Sequence, residues 1–186
     1  MLRNFIIIIA VILQPFISNA MEKQEIYLAG GCYWGLEFLI QDIDGVIDTE
    51  VGFSGGDLVN ATYEDVKTGT TGHAETIRVE YDSTKLSTQN LLFEFFRMHN
   101  PTTKNQQGND IGTQYRSAVF YLTSQQKEDV QRAINHVNET GHWKEAVVTE
   151  ILEFNAFFAA EESHQDYIKK NPNGYSCHFT RDFKFY

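Results

Sequence analysis

Apolar and polar residues follow two alternating periods along the chain, one typical of strands and one of helices. Segment 75–81 places Glu75, Ile77, Val79 and Tyr81 on one face and polar residues on the other, which indicates a half-buried strand. Further short strands are predicted at 25–29, 49–53, 115–123 and 146–154. Apolar residues at helical spacing predict helices at 32–40, 86–99, from Ser124 to Gly141 and at 159–170.

The segments between these elements are polar and rich in turn-forming residues. Long loops are expected at 57–74 and 102–113, and an irregular surface tail is expected from Asn173 onward. Strands and helices alternate without regular βαβ spacing. This order predicts an α+β fold, a single-domain two-layer sandwich with helices packed on one mixed sheet.

The first twenty residues have the pattern of a secretory signal peptide. Arg3 supplies a positive charge, 5–13 is an unbroken apolar run, and small residues precede a cleavage site after Ala20. The run is shorter than the ~20 apolar residues that a transmembrane helix needs. We therefore expect a signal at 1–20, a catalytic domain at 21–186, a periplasmic or secreted protein, and no stable membrane insertion after cleavage. An uncleaved anchor and a cytoplasmic protein that starts at Met21 are the alternatives.

Composition narrows the classes of function. The chain has 186 residues and a formal net charge of −10, with no cluster of Lys and Arg of the kind that binds phosphate, so nucleic acid is not an expected partner. There are two cysteines, Cys32 and Cys177. In an oxidising compartment such a pair is often a structural disulfide. The residues around each cysteine instead favour redox chemistry.

Cys32 lies where the first predicted strand turns into a helix. The thiolate is the reactive form of cysteine, and the unpaired N–H groups at a helix N-terminus stabilise it. Gly30 and Gly31 allow a tight turn that leaves the sulfur uncovered. Tyr33 and Trp34 follow and could form an apolar slot, although both could equally be core residues.

Glu75 opens the alternating strand on its apolar face. Burial there would raise the pKa of its carboxyl group, and a protonated carboxyl group can donate a proton. The alternative is a frayed strand end with Glu75 in water.

Five motifs along the chain resemble, in the same order, those of the A-class peptide methionine sulfoxide reductases. They are GCYWG at 31–35, GHAE at 72–75, GNDIGTQYRS at 108–117, HQDY at 164–167 and NPNGYSC at 171–177. The resemblance covers essentially all of the chain after the signal. It implies a ferredoxin-like core, a monomer, and an enzyme that needs no cofactor or metal ion.

The resemblance implies a thiol mechanism. Cys32 matches the nucleophile that attacks the sulfur of methionine S-sulfoxide, free or in proteins, and Glu75 matches the acid that protonates the oxygen. Cys32 becomes a sulfenic acid, and Cys177 condenses with it to give a disulfide. A thioredoxin-like reductant then restores both thiols. Such an enzyme repairs oxidative damage.

The same resemblance implies roles for five further residues. Tyr63 and Tyr115 match tyrosines that hydrogen-bond the sulfoxide oxygen, and Asp110 matches a carboxylate of the pocket that helps to orient the substrate. Tyr33 and Trp34 match the aromatic residues that hold the methyl group. Tyr33 stands where phenylalanine is more frequent in the family, and its hydroxyl is expected to point outward.

Other residues and other functions fit parts of the pattern. His73 is expected to support its loop, and His164 could be either a packing residue or part of the site. A secreted binding domain stapled by Cys32 and Cys177 would form no methionine from its sulfoxide. A thiol peroxidase would consume peroxide faster than sulfoxide, but a peroxide needs no methyl pocket.

Overall fold

A computed structural model describes residues 21–176 and 178–186, so the predicted signal peptide and Cys177 lie outside the described residues. The strands are β1 (Lys23–Gly30), β2 (Val46–Ser54), β3 (Ala74–Asp82), β4 (Gln106–Gln107), β5 (Asp110–Ile111), β6 (Ser117–Tyr121), β7 (Glu150–Glu153) and β8 (Phe157–Ala159). The helices are α1 (Tyr33–Ile40), α2 (Tyr63–Val66), α3 (Thr88–Met98), α4 (Ser124–Thr140) and α5 (Tyr167–Lys170), with a 3₁₀ turn at Thr113–Tyr115.

Six of the strands form one mixed sheet in the order β7-β6-β1-β3-β2-β8, and β4 pairs with β5 in a separate ribbon. Strands β6 and β7 run parallel, whereas the other neighbours in the large sheet are antiparallel. Ile77 of the central strand β3 lies opposite Leu28 on one side and Val51 on the other. The C-terminal end of β1, with Gly30, and the N-terminal end of β3, with Glu75, are neighbours at the same end of these two central strands.

The main core lies between one face of the sheet and the helices. Alternate residues of β1 serve opposite faces: Ile26 and Leu28 pack in the main core, and Tyr27 and Ala29 in a smaller cluster behind the sheet. The helices contribute Leu36 and Ile40 of α1, Leu91, Leu92, Phe95 and Phe96 of α3, and Val130, Ala133, Ile134 and Val137 of α4. The predicted α+β fold with helices packed on a mixed sheet is confirmed.

Most predicted elements are present with shifted ends. Helix α4 ends at Gly141, whose φ of 67° gives the left-handed C-terminal cap that glycine favours. Its N-cap is Thr123, whose hydroxyl accepts a hydrogen bond from the backbone N–H of Gln126. The two predicted loops contain the short helix α2 and the β4–β5 ribbon. None of the helices in the described segments is both long and apolar enough to cross a membrane.

The helix predicted at 159–170 is wrong. Ala159 belongs to β8, which pairs with β2, and only Tyr167–Lys170 is helical. The segment between them is held as turns by hydrogen bonds to other elements, and Asp166 has a φ of 51°, which is incompatible with a right-handed helix. The acidic residues at 161–166 therefore lie in turns and not on a helix.

The C-terminal tail has no regular element in its described part, as predicted, but it is not wholly on the surface. Phe185 is buried against Phe93 of α3, and the backbone carbonyl of Phe185 is hydrogen-bonded to His136 Nε2 of α4 at 2.7 Å. Arg97 donates from two nitrogens to the carbonyl of Arg181, and the Arg181 guanidinium returns a bond to the Arg97 carbonyl. Apolar and backbone contacts thus fasten the chain end to α3 and α4.

Candidate active site

Cys32 is the N-cap residue of α1, directly after β1. The turn before it requires glycine, because Gly31 has a φ of 101° and a Cβ there would lie 2.5 Å from Cβ of Gln107. Cys32 is only 7% exposed. Its sulfur therefore lies at the N-terminal, positive end of the helix in a nearly closed site.

Glu75 of β3 reaches the same helix start. Its Oε2 accepts a hydrogen bond of 3.1 Å from the backbone N–H of Tyr33, the first residue of α1. The side chain is 3% exposed, and burial raises its pKa to about 8, although the bond from Tyr33 opposes that rise. Glu75 therefore lies buried on the strand's apolar face, as predicted, and holds a proton at neutral pH.

Two tyrosines from separate loops converge on this pair. Tyr63 begins α2, which Thr62 and Asp65 cap reciprocally, and Tyr115 ends the 3₁₀ turn before β6. Both are half-buried. Burial is the main cause that raises the pKa of each tyrosine. The negative charges that Glu75 and Cys32 carry at the high pH where a tyrosine ionises act in the same direction. The two phenols therefore stay protonated and are available as hydrogen-bond donors.

Asp110 stands at the edge of the site on β5. Its carboxylate adds to the pKa rise of Glu75 and of both tyrosines. The hydroxyl of Tyr175 donates to its two oxygens over 3.4 Å, which brings the tail to this side of the site. The structure thus brings together seven of the eight residues predicted from the sequence, and the eighth, Cys177, lies outside the described residues.

Tyr33 and Trp34 differ in their surroundings. Tyr33 is fully buried and packs against Phe53, whereas Trp34 is half-buried and stacks on Tyr167 with ring centroids 3.8 Å apart. Trp34 is therefore the more accessible of the two rings, although it also packs against the main core. The expectation that the Tyr33 hydroxyl points outward is wrong, because it lies 3.0 Å from Nδ1 of His164 inside the protein.

His164 joins the aromatic residues of the site. Its Nδ1 accepts from the indole N–H of Trp34 at 3.2 Å, and since that N–H can only donate, Nδ1 carries a lone pair. The Tyr33 hydroxyl therefore donates to the same atom, and the imidazole proton is on Nε2. Burial lowers the pKa of His164, which favours this neutral form. Tyr63 packs against the same imidazole at 4.4 Å.

His164 and Tyr167 are the two residues of the site whose roles the sequence left open. Their motif was recognisable in the sequence. A helix was predicted there, however, whereas the chain forms a turn that points both side chains toward Trp34. His73, in contrast, supports its loop as expected: it is buried, its Nδ1 accepts from the Gly56 N–H, and its Nε2 contacts the Leu58 carbonyl at 2.9 Å.

A cysteine at a helix start, a buried protonated carboxyl group and an aromatic wall are the groups that a thiol-dependent oxidoreductase requires. The sequence profile of the peptide methionine sulfoxide reductase family matches residues 24–185. The chain is 48% identical over 162 residues to peptide methionine sulfoxide reductase MsrA 1 of Mesorhizobium japonicum, covering 87% of this chain and 92% of that protein. It is 48% identical to MsrA of Mycobacterium tuberculosis, covering 86% of each chain.

Solved structures give the same result. Reduced Mxr1 from Saccharomyces cerevisiae superposes with a TM-score of 0.82 at 33% identity, covering 90% of this chain and all of that one. Methionine sulfoxide reductase A of Corynebacterium diphtheriae gives 0.74 at 38% identity, covering 83% and 77%. The chain belongs to the peptide methionine sulfoxide reductase family, and its activity is the thiol-dependent reduction of methionine sulfoxide.

Proposed function

We propose that Cys32 reduces methionine S-sulfoxide, free or within proteins, with Glu75 as the acid. The observation that carries this proposal is the joint placement of the two groups at one helix start. The backbone N–H of Tyr33, next to Cys32, is hydrogen-bonded to Glu75 Oε2, and burial keeps that carboxyl group protonated at neutral pH. A nucleophile and a proton donor are both needed because a sulfoxide oxygen leaves only when it is protonated.

The first step moves one oxygen atom between two sulfur atoms. The Cys32 thiolate attacks the sulfoxide sulfur while the oxygen takes a proton from Glu75. The S–O bond of the substrate then breaks and an S–O bond forms on Cys32, which yields methionine and a sulfenic acid. The substrate sulfur is reduced by two electrons and Cys32 is oxidised by two.

The proton of Glu75 is best placed on Oε1. Oε2 already accepts the N–H of Tyr33, and an oxygen that accepts such a bond is less suited to carry a proton. Oε1 would then be the atom that donates the proton. The phenols of Tyr63 and Tyr115 would hydrogen-bond the same sulfoxide oxygen, and Asp110 would orient the substrate.

The methyl group of the substrate would lie against Trp34, with Tyr33 behind it. Thioethers and sulfoxide methyl groups pack favourably on aromatic rings. Trp34 has one face stacked on Tyr167 and remains half-buried, so its position is fixed before the substrate arrives.

Cys177 would resolve the sulfenic acid. Its thiolate would attack Sγ of Cys32, a disulfide would form, and the oxygen would leave as water after protonation. The neighbours of Cys177 support this role. Ser176 lies so close to Gly35 of α1 that a Cβ there would clash with its Oγ, and His178 Nε2 is 2.8 Å from the carbonyl oxygen of Gly30.

A thioredoxin-like protein would then reduce the disulfide by thiol exchange. Mxr1 from Saccharomyces cerevisiae has been crystallised in complex with Trx2, which supports a reductant of this kind. We further propose that the protein acts as a monomer in the periplasm or outside the cell after removal of residues 1–20, where it repairs oxidised proteins. N-terminal sequencing of the exported protein would give Met21 as the first residue.

The test uses the mature chain with separated epimers of methionine sulfoxide and dithiothreitol. Wild type should form methionine from the S epimer only, and Cys32→Ser should form none. Without added thiol, Cys177→Ser should release a single equivalent, because Cys32 is oxidised once and not regenerated. Methionine formation by Cys32→Ser, or equal use of both epimers, would contradict the proposal. A melting temperature within a few degrees of wild type controls for folding.

A further inference from the structure

A second glutamate is buried in helix α1, one turn after Cys32. Glu37 is only 2% exposed, yet it belongs to none of the groups placed around Cys32. Its Oε2 accepts a 2.9 Å hydrogen bond from the backbone N–H of Asp166, and its Oε1 accepts a longer bond of 3.4 Å from the Thr49 hydroxyl. A buried carboxyl group with both oxygens engaged is costly to remove and must hold something in place.

What Glu37 holds is the turn that carries His164 and Tyr167. Asp166 has a φ of 51° and a ψ of 33°, a left-handed conformation that residues other than glycine rarely adopt. The hydrogen bond that the N–H of Asp166 donates to Glu37 fixes that conformation. Immediately after it, Tyr167 stacks on Trp34, and two residues before it, His164 accepts the hydrogen bonds of Tyr33 and Trp34.

Gln165 fastens the same turn from the other side. Its amide pairs with the backbone of Val51 in β2, accepting from the N–H at 2.8 Å and donating to the carbonyl at 2.9 Å, and it also donates to the Ala160 carbonyl. The turn is therefore fixed to the sheet through Gln165 and to α1 through Glu37. Of the two attachments, the one through Glu37 acts on the helix that also carries Cys32 and Trp34.

We propose that Glu37 is a positioning residue of the sulfoxide-binding pocket. It ties the 164–167 turn to α1, so that His164 and Tyr167 keep Trp34 in the orientation that receives the substrate's methyl group. Glu37 acts through these rings and does not touch the substrate. The role of Trp34 in this inference rests on the proposed function, whereas the tie between Glu37 and the turn does not.

Two substitutions distinguish the hydrogen bond between Glu37 and Asp166 from the packing contribution of a buried side chain at position 37. Glu37→Leu removes both acceptors, so the N–H of Asp166 loses its partner. Glu37→Gln keeps an oxygen for that N–H and can donate its amide to Thr49 Oγ1. Thr49→Val is the matched control, because it removes the 3.4 Å bond and leaves the bond to Asp166 intact.

The expected result is a split between binding and chemistry. Glu37→Leu should raise KM for methionine sulfoxide about tenfold or more, with a smaller loss of kcat, while Cys32 reacts with iodoacetamide at the wild-type rate within about twofold. Glu37→Gln and Thr49→Val should stay within about threefold of wild-type KM. In a Trp143→Phe background Trp34 is the sole tryptophan of the chain, and its fluorescence should change in Glu37→Leu but not in Glu37→Gln.

Wild-type KM and Trp34 fluorescence in Glu37→Leu would overturn the proposal, as would a Glu37→Gln variant as impaired as Glu37→Leu. If Glu37→Leu does not fold, hydrogen exchange on wild type decides: the Asp166 amide must be protected, and free exchange there refutes the tie. Failure of the proposed function has a different signature, since wild type would then form no methionine while the fluorescence change in Glu37→Leu would still occur.

Discussion

Glu75 of β3 and Glu37 of α1 are both almost completely buried, but they differ in how many of their oxygens are hydrogen-bonded to the protein. Glu75 lies at the start of the helix, with one oxygen bonded to a backbone N–H and two tyrosines nearby. Glu37 lies one turn further on, with each oxygen bonded to the protein. Burial raises the pKa of both carboxyl groups, to about 8 for Glu75 and to about 7 for Glu37.

The difference shows that burial alone does not mark a catalytic acid. A carboxyl group with only one oxygen hydrogen-bonded to the backbone can donate its proton to a substrate. One whose two oxygens are both hydrogen-bonded within the protein instead stabilises the fold. The distinction lies in the hydrogen bonds, and substitutions at the two positions should therefore separate chemistry from positioning.

The largest effect is expected at Glu75. Glu75→Gln keeps an acceptor for the Tyr33 N–H but has no acidic proton, so the rate of methionine formation in a single turnover should fall about 10²- to 10⁴-fold. The wild-type rate should itself fall above pH 8 as Glu75 ionises, while the residual rate of the variant should show no such fall. Stopped-flow or quenched-flow assays from pH 6 to 10 measure both.

Glu37→Gln is the matched control for that experiment, because it makes the same chemical change one helical turn away. Its single-turnover rate at saturating substrate should remain within about threefold of wild type. A similar loss of rate in both variants would remove the distinction between the two glutamates.

Stability should depend on pH through the same two groups. A carboxyl group with a raised folded-state pKa keeps its proton at pH values where the unfolded chain has lost it, so stability falls as pH rises from about 4.5 to the folded pKa. Above pH 7 Glu75 holds more of its proton than Glu37 and contributes the larger part of this fall, at up to about 1.4 kcal/mol per pH unit.

Urea unfolding of wild type and of the two glutamine variants across pH 5–9 would resolve these contributions. The stability of Glu75→Gln relative to wild type should improve up to about pH 8, and that of Glu37→Gln only up to about pH 7. Differences between variants are needed because buried His99 and His178, whose pKa values are lowered, act with the opposite sign below pH 6.5. Parallel curves for all three proteins would contradict the assignment.

The smallest effect is expected at Tyr33. Tyr33→Phe removes the hydroxyl that donates to His164 and leaves the bond from Trp34 to the same nitrogen. A single neutral hydrogen bond contributes about 0.5–1.5 kcal/mol, and because the bond from Trp34 remains we expect the low end of that range, which corresponds to a rise in KM of about threefold with little change in kcat. Steady-state kinetics with free methionine sulfoxide measure this change, and a loss as large as that of Glu37→Leu would show that His164 depends on Tyr33 more than on its turn.

The sequence was sufficient where periodicity or a local signal decided the structure. The alternating strand at 75–81 identified Glu75 as a carboxyl group on an apolar face, and Gly30-Gly31 before a helical pattern placed Cys32 at a helix start. Long-range bonds decided the rest. The turn at 164–167 is held by Glu37 and by Val51, which are more than a hundred residues away along the chain, so no local pattern could distinguish it from a helix.

The same limitation applied to Tyr33, whose hydroxyl points inward because a histidine distant in sequence accepts its hydrogen bond. Sequence reasoning also placed the tail on the surface, since the tail lacks periodic spacing. Phe185 nevertheless packs against Phe93 of α3 and is hydrogen-bonded to His136 of α4, partners that only the tertiary fold provides.

The fastening of the chain end has a practical consequence for recombinant forms of this protein. Tyr186 is 66% exposed, so an affinity tag added after it can extend into solvent without disturbing the protein beneath. A polypeptide shortened to end at residue 180 would lose the ring of Phe185 and the hydrogen bonds between Arg97 and Arg181. Phe93 and the adjoining apolar surface would then be exposed to solvent. Such a shortened product would be prone to self-association, and expression vectors should retain every codon through the last.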